Sequence, residues 1–292
     1  MQLYVMSDDS LLEELLDKEI DGIILGVAPF AHRVRGAFSP DVLAGLSARA
    51  KRAGKKVFFM MNAVMFEDDL PHLEERLDAV RSMLFDGIIF ADLAVLNIAR
   101  RLGLENYLIY HPETYTTHPG DVSFFAPADI HAVVLSRELT LDAIEAFAET
   151  SALPLAFVGH GYVNVFHSYR RLLKTFAEHT GDFDADCYEG VRLSLLERER
   201  ETEYPFVQDA HGTHVYRTLP RASFNAFDRL GEVLDYFFID TLFYERKRVL
   251  DIVDDYITLN KGETPDALHE RYSDHDEGFL RLPTHERKGD AG

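Results

Sequence analysis

Short apolar stretches recur along the whole chain, and each is followed by a segment in which apolar residues return at helical spacing. Eight stretches have the length of strands: residues 3–6, 22–27, 56–64, 87–92, 107–111, 132–136, 155–161 and 236–243. They are apolar at nearly every position, which is typical of strands that are covered on both faces. Amphipathic helices are predicted between them, for example over 10–19, 39–54, 70–84, 139–150 and 245–259. Eight such units predict an α/β fold, a (β/α)8 TIM-type barrel, with a doubly wound open sheet as the alternative.

Two segments depart from this βα rhythm. Residues 184–223 are too long for a plain loop between the seventh and eighth strands. Within them, residues 204–217 have two β-favouring arms around His211, which predicts an inserted β-hairpin. The C-terminal tail, residues 261–292, is polar, and we expect its few apolar residues (Phe279, Leu280 and Leu282) to dock it on the body. The predicted organisation is one barrel over 1–260 with an insertion at 184–223, followed by the tail.

Composition and charge restrict the function further. The 292 residues are 47% hydrophobic and 27% charged, as in ordinary globular proteins. Because no apolar run approaches the roughly 20 residues of a membrane-spanning helix and no signal peptide is evident, we expect a cytoplasmic protein without membrane contact. The formal charge of -20 disfavours direct nucleic-acid binding, so tRNA would require a partner or a local basic strip. The single cysteine, Cys187, excludes an internal disulfide.

Polar residues stand where the predicted strands end, and in a TIM barrel those ends form the active face. His160 is the strongest candidate, because it ends an apolar strand and precedes a glycine that lets backbone approach a ligand closely. We predict a catalytic group made of His160, Glu138, Arg137 and Asp92. We predict a substrate-binding group made of Arg33, Asn62, His111, Arg170 and Arg171.

Several of these residues also have a purely structural interpretation. Asp92 can cap the helix that follows its strand. Arg137 and Glu138 can form an ion pair on the rim. Arg170 and Arg171 can lie on the solvated face of a helix that starts near His167. The sequence alone leaves these alternatives open.

The motifs of several common enzyme classes are missing from the sequence. There is no HExxH, G-x-S-x-G, GxxxxGK[ST] or GxGxxG, so zincin, serine hydrolase, P-loop and dinucleotide-binding mechanisms lack their usual parts. His211 and His214 flank the predicted hairpin turn, but no acidic or thiolate partner stands at a fixed spacing from them. A divalent metal is a weaker hypothesis, which requires four side chains to converge: His160, Glu138, Asp92 and His111.

Two consecutive segments, LSRELTLDAIEAFAE (135–149) and LAFVGHGYVNVFHSYRRLL (155–173), resemble the collagenase-like peptidase U32 family. In that family an arginine-glutamate strand end and a valine-His-Gly strand end are neighbours in the barrel. Further segments are similar to the family in the same order: DGIILGVAPFAHRVRGAFS (21–39), KKVFFMMNAVM (55–65), DGIIFAD (86–92) and DEGFL (276–280). The resemblance covers nearly the whole chain and implies a barrel.

The resemblance implies two different kinds of activity. One is peptidase activity, including collagen degradation. The other is oxygen-independent hydroxylation of tRNA wobble uridine, of ribosomal RNA cytidine or of the ubiquinone ring, with prephenate as a proposed metabolite of the RNA branch. Hydroxylation members generally carry four cysteines that hold an iron-sulfur cluster. Here Asn164 and Arg171 stand where such relatives place cysteines, and Cys187 is isolated, so we expect no cluster in this chain.

The chain is similar to the short, cysteine-poor branch of the family, some members of which are encoded with a longer cysteine-bearing paralogue. We therefore expect a component of oxygen-independent RNA hydroxylation, acting on tRNA wobble uridine without its own iron-sulfur cluster. One alternative is a collagenase-like peptidase, for which we find neither an activated nucleophile nor a metal-bound water. The other is a non-catalytic partner subunit of a cysteine-bearing paralogue, so the sequence does not decide whether the chain is an enzyme.

Overall fold

The computed structural model describes residues 1–181, 183–197, 199, 202–265 and 267–282. Its strands, in chain order, are β1 (Gln2–Met6), β2 (Gly22–Val27), β3 (Ala37–Phe38), β4 (Lys56–Met61), β5 (Gly87–Phe90), β6 (Leu108–Tyr110), β7 (Ala132–Val134), β8 (Leu155–Gly161), β9 (Asn164–Ser168), β10 (Leu193–Glu197), β11 (Thr202–Asp209), β12 (Gly212–Tyr216), β13 (Arg221–Ala222) and β14 (Tyr236–Ile239).

The α-helices, in chain order, are α1 (Asp9–Leu16), α2 (Pro40–Arg52), α3 (Leu70–Arg81), α4 (Leu93–Leu102), α5 (Pro119–Phe125), α6 (Leu141–Ala148), α7 (Leu172–Thr180), α8 (Phe227–Val233), α9 (Arg246–Asn260) and α10 (Leu268–Arg271). Short 3-10 turns cover Glu67–Asp69, Glu105–Tyr107, Ala126–Ala128, Ala185–Tyr188 and Phe224–Ala226. Among the described residues, no helix combines the length and the apolar character that crossing a membrane requires.

Eight parallel strands close into a barrel. The pairing runs β1, β2, β4, β5, β6, β7, β8 and β14, and β14 pairs with β1 again. Val5 of β1 lies opposite Ile23 on one side and Ile239 on the other, which closes the cylinder. These eight strands coincide with the eight apolar stretches of the sequence. The predicted TIM-type barrel is therefore confirmed, and the open-sheet alternative is wrong.

The barrel strands are apolar throughout because each lies between two cores. Alternate residues point inward, where Tyr4 stacks on Phe58 with ring centroids 4.1 Å apart. The residues between them, such as Leu3 and Val5 of β1, point outward to the surrounding helices. Since side chains alternate along a strand, a shift of one residue moves a side chain from the barrel interior to the helical shell. The same alternation determines which strand-end residues reach the mouth of the barrel.

The insertion between β8 and β14 forms a separate four-stranded antiparallel sheet in the order β10, β11, β12, β9. The predicted hairpin is present as β11 and β12. The sheet begins earlier than expected, because β9 directly follows β8 and pairs with β12, with His167 opposite His214. The expectation that a helix starts near His167 is wrong; α7 begins only at Leu172.

The C-terminal tail docks on the barrel, as the sequence predicts. Leu280 is only 2% exposed, and its carbonyl accepts a hydrogen bond from the Leu141 N–H at 2.9 Å. Asp276 forms an ion pair with Arg217 at 2.5 Å. Leu282 is 48% exposed, so Leu280 anchors the tail and Leu282 does not. The remainder of the tail, residues 283–292, lies outside the described residues.

Candidate functional site

A cavity of about 60 Å³ lies at the carboxyl ends of the barrel strands. The apolar residues in its wall include Met6, Met60, Leu135 and Val158. The charged and polar side chains in its wall are Arg33, Asn62, His111, Glu113, Arg137, Tyr162, Asn164, Tyr216, Arg221 and Asp240. Four of the nine predicted site residues are among them: Arg33, Asn62, His111 and Arg137. The inserted sheet supplies Asn164 and Tyr216, so the barrel and the insertion build this cavity together.

Glu113 is held between two arginines in the cavity wall. One carboxylate oxygen accepts a hydrogen bond from Arg33, and the other accepts one from Nη1 of Arg137 at 2.6 Å. Arg33 and Glu113 have φ angles of +54° and +66°, which non-glycine residues rarely adopt and which tertiary contacts must impose. Burial alone would raise the pKa of Glu113, but the two guanidinium groups outweigh it and lower the pKa to about 2. The trio therefore keeps one net positive charge at neutral pH.

Arg221 adds a third, fully buried guanidinium. Its Nη1 donates to the Val158 carbonyl at 3.0 Å, and its Nη2 donates to the Arg137 carbonyl. Its Nε has no hydrogen-bond partner among the described residues. Burial lowers the pKa of Arg221 to about 9, so the group is still cationic at neutral pH. The cavity wall thus carries more positive than negative charge.

Asp240 lies in the cavity wall directly after β14. Its Oδ1 accepts a hydrogen bond from the Leu242 N–H at 2.8 Å, and burial raises the pKa of Asp240 to about 7. Gly161 lies against it with a φ of +126°. A Cβ on Gly161 would lie 2.8 Å from the Asp240 carbonyl oxygen, so this position requires glycine. A close approach does occur at Gly161, but its partner is Asp240.

His111 and Asn62 complete the predicted binding residues that reach the cavity. His111 is buried, and burial lowers its pKa to about 4, so the imidazole is neutral at physiological pH. Its Nδ1 has no hydrogen-bond partner among the described residues. The Asn62 Oδ1 accepts a hydrogen bond from the His32 N–H at 3.1 Å. Asn62 thereby fixes the loop after β2, which carries Arg33, against the end of β4.

His160 lies elsewhere. Its side chain points to the outer shell of the barrel, where Nδ1 is 3.2 Å from the Tyr256 hydroxyl and the ring contacts Phe224 and Tyr244. Burial lowers the pKa of His160 well below its ordinary value. The expectation that this side chain faces the mouth is not met. Regular alternation would turn His160 to the same side as Val158, which borders the cavity. The pairing of β8 with β14 is irregular here, because Phe238 lies opposite Val158 and Ile239 opposite His160, and the extra residue, Gly159, leaves His160 facing outward.

Asp92 and Glu138 do not line the cavity either. The two carboxylate oxygens of Asp92 accept hydrogen bonds from the Ala94 and Met65 N–H groups, each at 2.9 Å, so Asp92 caps α4 as the structural interpretation proposed. Glu138 is exposed, and Arg137 pairs with Glu113 instead of with Glu138. Of the four predicted catalytic residues, Arg137 is the one in the described cavity wall.

Arg170 and Arg171 lie on the insertion. Arg170 is exposed in the turn between β9 and α7. Arg171 directly precedes α7, and its guanidinium pairs with Glu189 and, at 3.6 Å, with Asp186. Neither side chain is part of the cavity wall, so their expected placement with the other binding residues is not observed.

The contacts of these residues show whether they could hold an iron-sulfur cluster or the predicted divalent metal ion. An iron-sulfur cluster does not fit, because Asn164 donates to the Phe166 and Val215 carbonyls, Arg171 is ion-paired and Cys187 is an exposed free thiol. The predicted metal group around His160 does not converge. Among the described residues, the close group of candidate ligands is a different one: His32, His167 and His214, whose ligand atoms lie within 4.8 Å of one another.

Sequence reasoning missed several residues of the site. Glu113 stands two residues after the strand-end His111, and this offset was its only signal. Arg221 lies near the end of the predicted insertion, outside every predicted barrel strand, and β13 delivers it to the cavity by pairing with Gly161. His32 directly precedes the predicted Arg33. In each case the partner that reveals the role is distant in sequence.

Comparison with known proteins places the chain in a family. The sequence profile of Peptidase family U32 matches residues 9–261. The tRNA hydroxylation protein P2 of Bacillus subtilis (strain 168) is 27% identical over 204 residues, which cover 69% of this chain and 66% of that protein. A collagenase of Porphyromonas gingivalis (strain ATCC BAA-308 / W83) is 26% identical over 133 residues, 44% of this chain and 31% of that protein. The chain thus spans less than two thirds of the length of these curated relatives.

A solved structure agrees with the sequence match. The U32 peptidase Mk0906 superimposes with a TM-score of 0.51 at 16% sequence identity, over 82% of this chain and 91% of that one. At this identity the likeness supports the barrel fold, and the profile match over residues 9–261 supplies the assignment. The resemblance seen in the sequence is confirmed, and the chain belongs to peptidase family U32.

Proposed function

We propose that this protein is a component of oxygen-independent RNA hydroxylation, with tRNA wobble uridine as the target and without an iron-sulfur cluster of its own. The similarity to a tRNA hydroxylation protein of Bacillus subtilis supports this role. The observation that carries it is the cavity at the barrel mouth, whose wall contains Arg33, Arg137 and Arg221. The role requires a protein that acts where tRNA is found, so we also propose a cytoplasmic location.

In this proposal the cavity binds a small carboxylic acid. Guanidinium groups recognise carboxylates with two parallel hydrogen bonds, and burial strengthens such bonds. Arg33, Arg137 and Arg221 outnumber the ionised Glu113, and Asp240 is only partly ionised near pH 7. A volume of about 60 Å³ holds a carboxylate with a few more atoms, or the acidic end of a larger metabolite.

A peptidase mechanism finds less support in this cavity. Its described wall contains no serine, threonine or cysteine that could act as a nucleophile. The predicted metal ligands around His160 lie apart, so they provide no activated water there. The geometry favours binding of an anion over hydrolysis of a peptide.

We propose that tRNA reaches the protein through a partner chain, because a formal charge of -20 repels phosphate. The inserted sheet offers exposed apolar side chains: Leu195 is 51% exposed and Leu196 is 58% exposed. Exposed apolar surface of this kind is typical of protein interfaces. A cysteine-bearing relative docked on this sheet would make the chain a partner subunit, which is the second candidate function.

Copurification tests the partner. Leu195→Ser together with Leu196→Ser should lower the yield of a cysteine-bearing relative at least tenfold. Leu84→Ser, which replaces an equally exposed leucine (59% exposed) on the barrel, should leave it unchanged. Equal recovery with both variants would contradict docking on the inserted sheet.

Mass spectrometry of tRNA nucleosides tests the function. The host strain lacks this chain and any relative able to substitute, and it is complemented with wild type, Arg137→Ala or Glu138→Ala. Wild type and Glu138→Ala should restore hydroxylated wobble uridine, because Glu138 is exposed and outside the cavity. Arg137→Ala should restore less than a tenth of it. Unchanged hydroxylation in the deletion strain would reject the proposed function.

A further inference from the structure

A cluster of histidines joins the barrel to the inserted sheet beside the cavity. His32 lies in the loop after β2, His167 on β9 and His214 on β12. The ring centroid of His32 is 5.3 Å from that of His167 and 5.6 Å from that of His214. The candidate ligand atoms of all three lie within 4.8 Å of one another. Three side chains from three separate segments therefore converge on one point.

His32 is the unusual member of this cluster. It is only 3% exposed, and neither of its ring nitrogens has a hydrogen-bond partner among the described residues. An unsatisfied buried polar group costs about 1–3 kcal/mol, so most such groups are paired. A neutral imidazole with an unused lone pair is a ready metal ligand.

His167 and His214 are already arranged as a chelating pair. They are opposite each other in the β9–β12 ladder, their rings stack at an interplanar angle of 9°, and their Nδ1 atoms are 3.1 Å apart. In a tetrahedral zinc site with Zn–N bonds of about 2.0–2.1 Å, ligand nitrogens lie roughly 3.3–3.4 Å from each other. The spacing of the pair is close to that value.

A carboxylate orients His214 from behind. Nε2 of His214 is 3.1 Å from Oδ1 of Asp209, which also accepts the His211 N–H at 2.8 Å. Donation of the Nε2 proton to Asp209 directs the Nδ1 lone pair toward the cluster. Carboxylate-histidine pairs of this kind fix the tautomer and the ring orientation of metal ligands.

We propose that His32, His167 and His214 bind one divalent transition-metal ion of the Zn²⁺ class. Imidazole nitrogens suit zinc and its neighbours, and three histidines supply three of the four ligands of a tetrahedral ion. Glu113 pairs with Arg33 and offsets part of the positive charge near the cluster. The ion ties β9 and β12 of the insertion to the loop after β2. The site does not depend on the proposed function of the cavity.

Calorimetric titration of Zn²⁺ into untagged, chelator-dialysed protein tests the site. Wild type should bind one ion per chain, and His32→Ala and His214→Ala should each lose at least 100-fold in affinity. Asp209→Asn, which removes the orienting carboxylate, should lose about 10–100-fold. His72→Ala is the matched control, because His72 is an exposed histidine on α3, and its affinity should equal that of wild type.

A second variant covers the case in which the buried histidines are needed for folding. His167 is partly exposed, so His167→Gln should retain the wild-type far-UV circular dichroism and still lose at least 100-fold in Zn²⁺ affinity. With Co²⁺ as the probe, wild type should show the visible absorption of a four-coordinate site and His167→Gln should not. Equal Zn²⁺ affinity of wild type and His167→Gln, or no binding by wild type, would overturn the proposal.

Discussion

The two faces of the carboxyl end of β8 have opposite characters. On the inner face, Val158 and Gly161 border a cavity whose wall contains three arginines. On the outer face, His160 is enclosed by Tyr256, Phe224 and other aromatic rings under α9 and the tail. Val158 and His160 are two residues apart, a spacing that puts side chains on the same face of a regular strand, but the irregularity at Gly159 turns them to opposite faces. A local irregularity in the strand therefore decides whether a side chain borders the cavity or packs in the outer core, even for a histidine.

The difference between the two faces separates two kinds of expected effect. The inner face carries buried charges with an excess of positive charge, so changes there should alter ligand binding as well as stability. The outer face is filled by neutral aromatic side chains, so changes there should alter stability alone. Substitutions on both faces can test this separation, from the largest expected effect to the smallest.

Glu113→Gln should cause the largest loss in the free energy of unfolding. It leaves the buried guanidinium groups of Arg33 and Arg137 without their carboxylate, and breaking a buried ion pair in this way costs about 3–5 kcal/mol. Urea unfolding at pH 7 measures the loss. Glu138→Gln, an exposed control, should change the free energy of unfolding by less than about 0.5 kcal/mol. Similar free energies of unfolding for the two variants would show that the ion pairs of Glu113 do not stabilise the fold.

The same carboxylate predicts the acid stability of the protein. The pKa of Glu113 is lowered from the model-peptide value of 4.5 to about 2 in the folded state. The contribution of Glu113 to the free energy of unfolding is therefore complete above pH 4.5 and is lost as the pH falls toward 2. The difference in stability between wild type and Glu113→Gln should shrink over this interval. A difference that stays constant from pH 7 to pH 2 would contradict ionisation of Glu113 as the source of the stability.

Gly161→Ala should be the next most damaging change. A Cβ there meets the Asp240 carbonyl oxygen at 2.8 Å, and the φ of +126° disfavours any side chain. Backbone strain and overpacking together should cost about 3 kcal/mol. Gly54→Ala is the matched control, because Gly54 has a φ of +77° with open space around it. Gly54→Ala should lower the free energy of unfolding by only about 1–2 kcal/mol. Equal losses of stability in Gly54→Ala and Gly161→Ala would exclude a steric contact at Gly161.

His160→Ala should cost about 2 kcal/mol, because it removes a packed ring and its contact with the Tyr256 hydroxyl. Affinity for a small acid should stay within twofold of wild type, since the side chain faces away from the cavity. Thermal unfolding and ligand titration on the same sample measure both quantities. A tenfold loss of affinity for the acid with unchanged stability would contradict the outward orientation of His160.

The effect of Asp240 should depend on pH. As the pH rises through about 7, this carboxyl ionises and adds a negative charge to the cavity wall. Affinity for an anionic ligand should fall up to tenfold between pH 6 and pH 8 in wild type. In Asp240→Asn it should stay flat over this interval, and a parallel decline in both proteins would contradict the assignment.

Asp240 also affects stability with the opposite sign to Glu113. Its folded pKa of about 7 exceeds the model-peptide value of 3.8, so the folded state binds the extra proton between these two values. Its contribution to stability is therefore lost as the pH rises from about 4 to about 7. Asp240→Asn should remove this decline in unfolding experiments.

The sequence predicted the barrel because double burial makes each barrel strand apolar on both faces, a strong local signal. It did not predict β9, since this short strand is partly exposed and its partner β12 lies more than forty residues later. Glu113 and Arg221 escaped notice for the same reason: their partners come from distant segments. The direction of His160 depends on the strand register, which shifts between Phe238 and Ile239 of the neighbouring β14. Composition and spacing do not contain that shift.

The most direct test of the central claim is calorimetric titration of a small acid into wild type, Arg137→Ala and Glu138→Ala at pH 6.5. Prephenate and malonate are the probes, because the first is the metabolite that the family resemblance implies and the second is a minimal dicarboxylate. Wild type and Glu138→Ala should bind at least one probe with equal affinity, and Arg137→Ala should bind it at least tenfold more weakly. Equal affinity of all three proteins, or no binding by wild type, would contradict a carboxylate site at the barrel mouth.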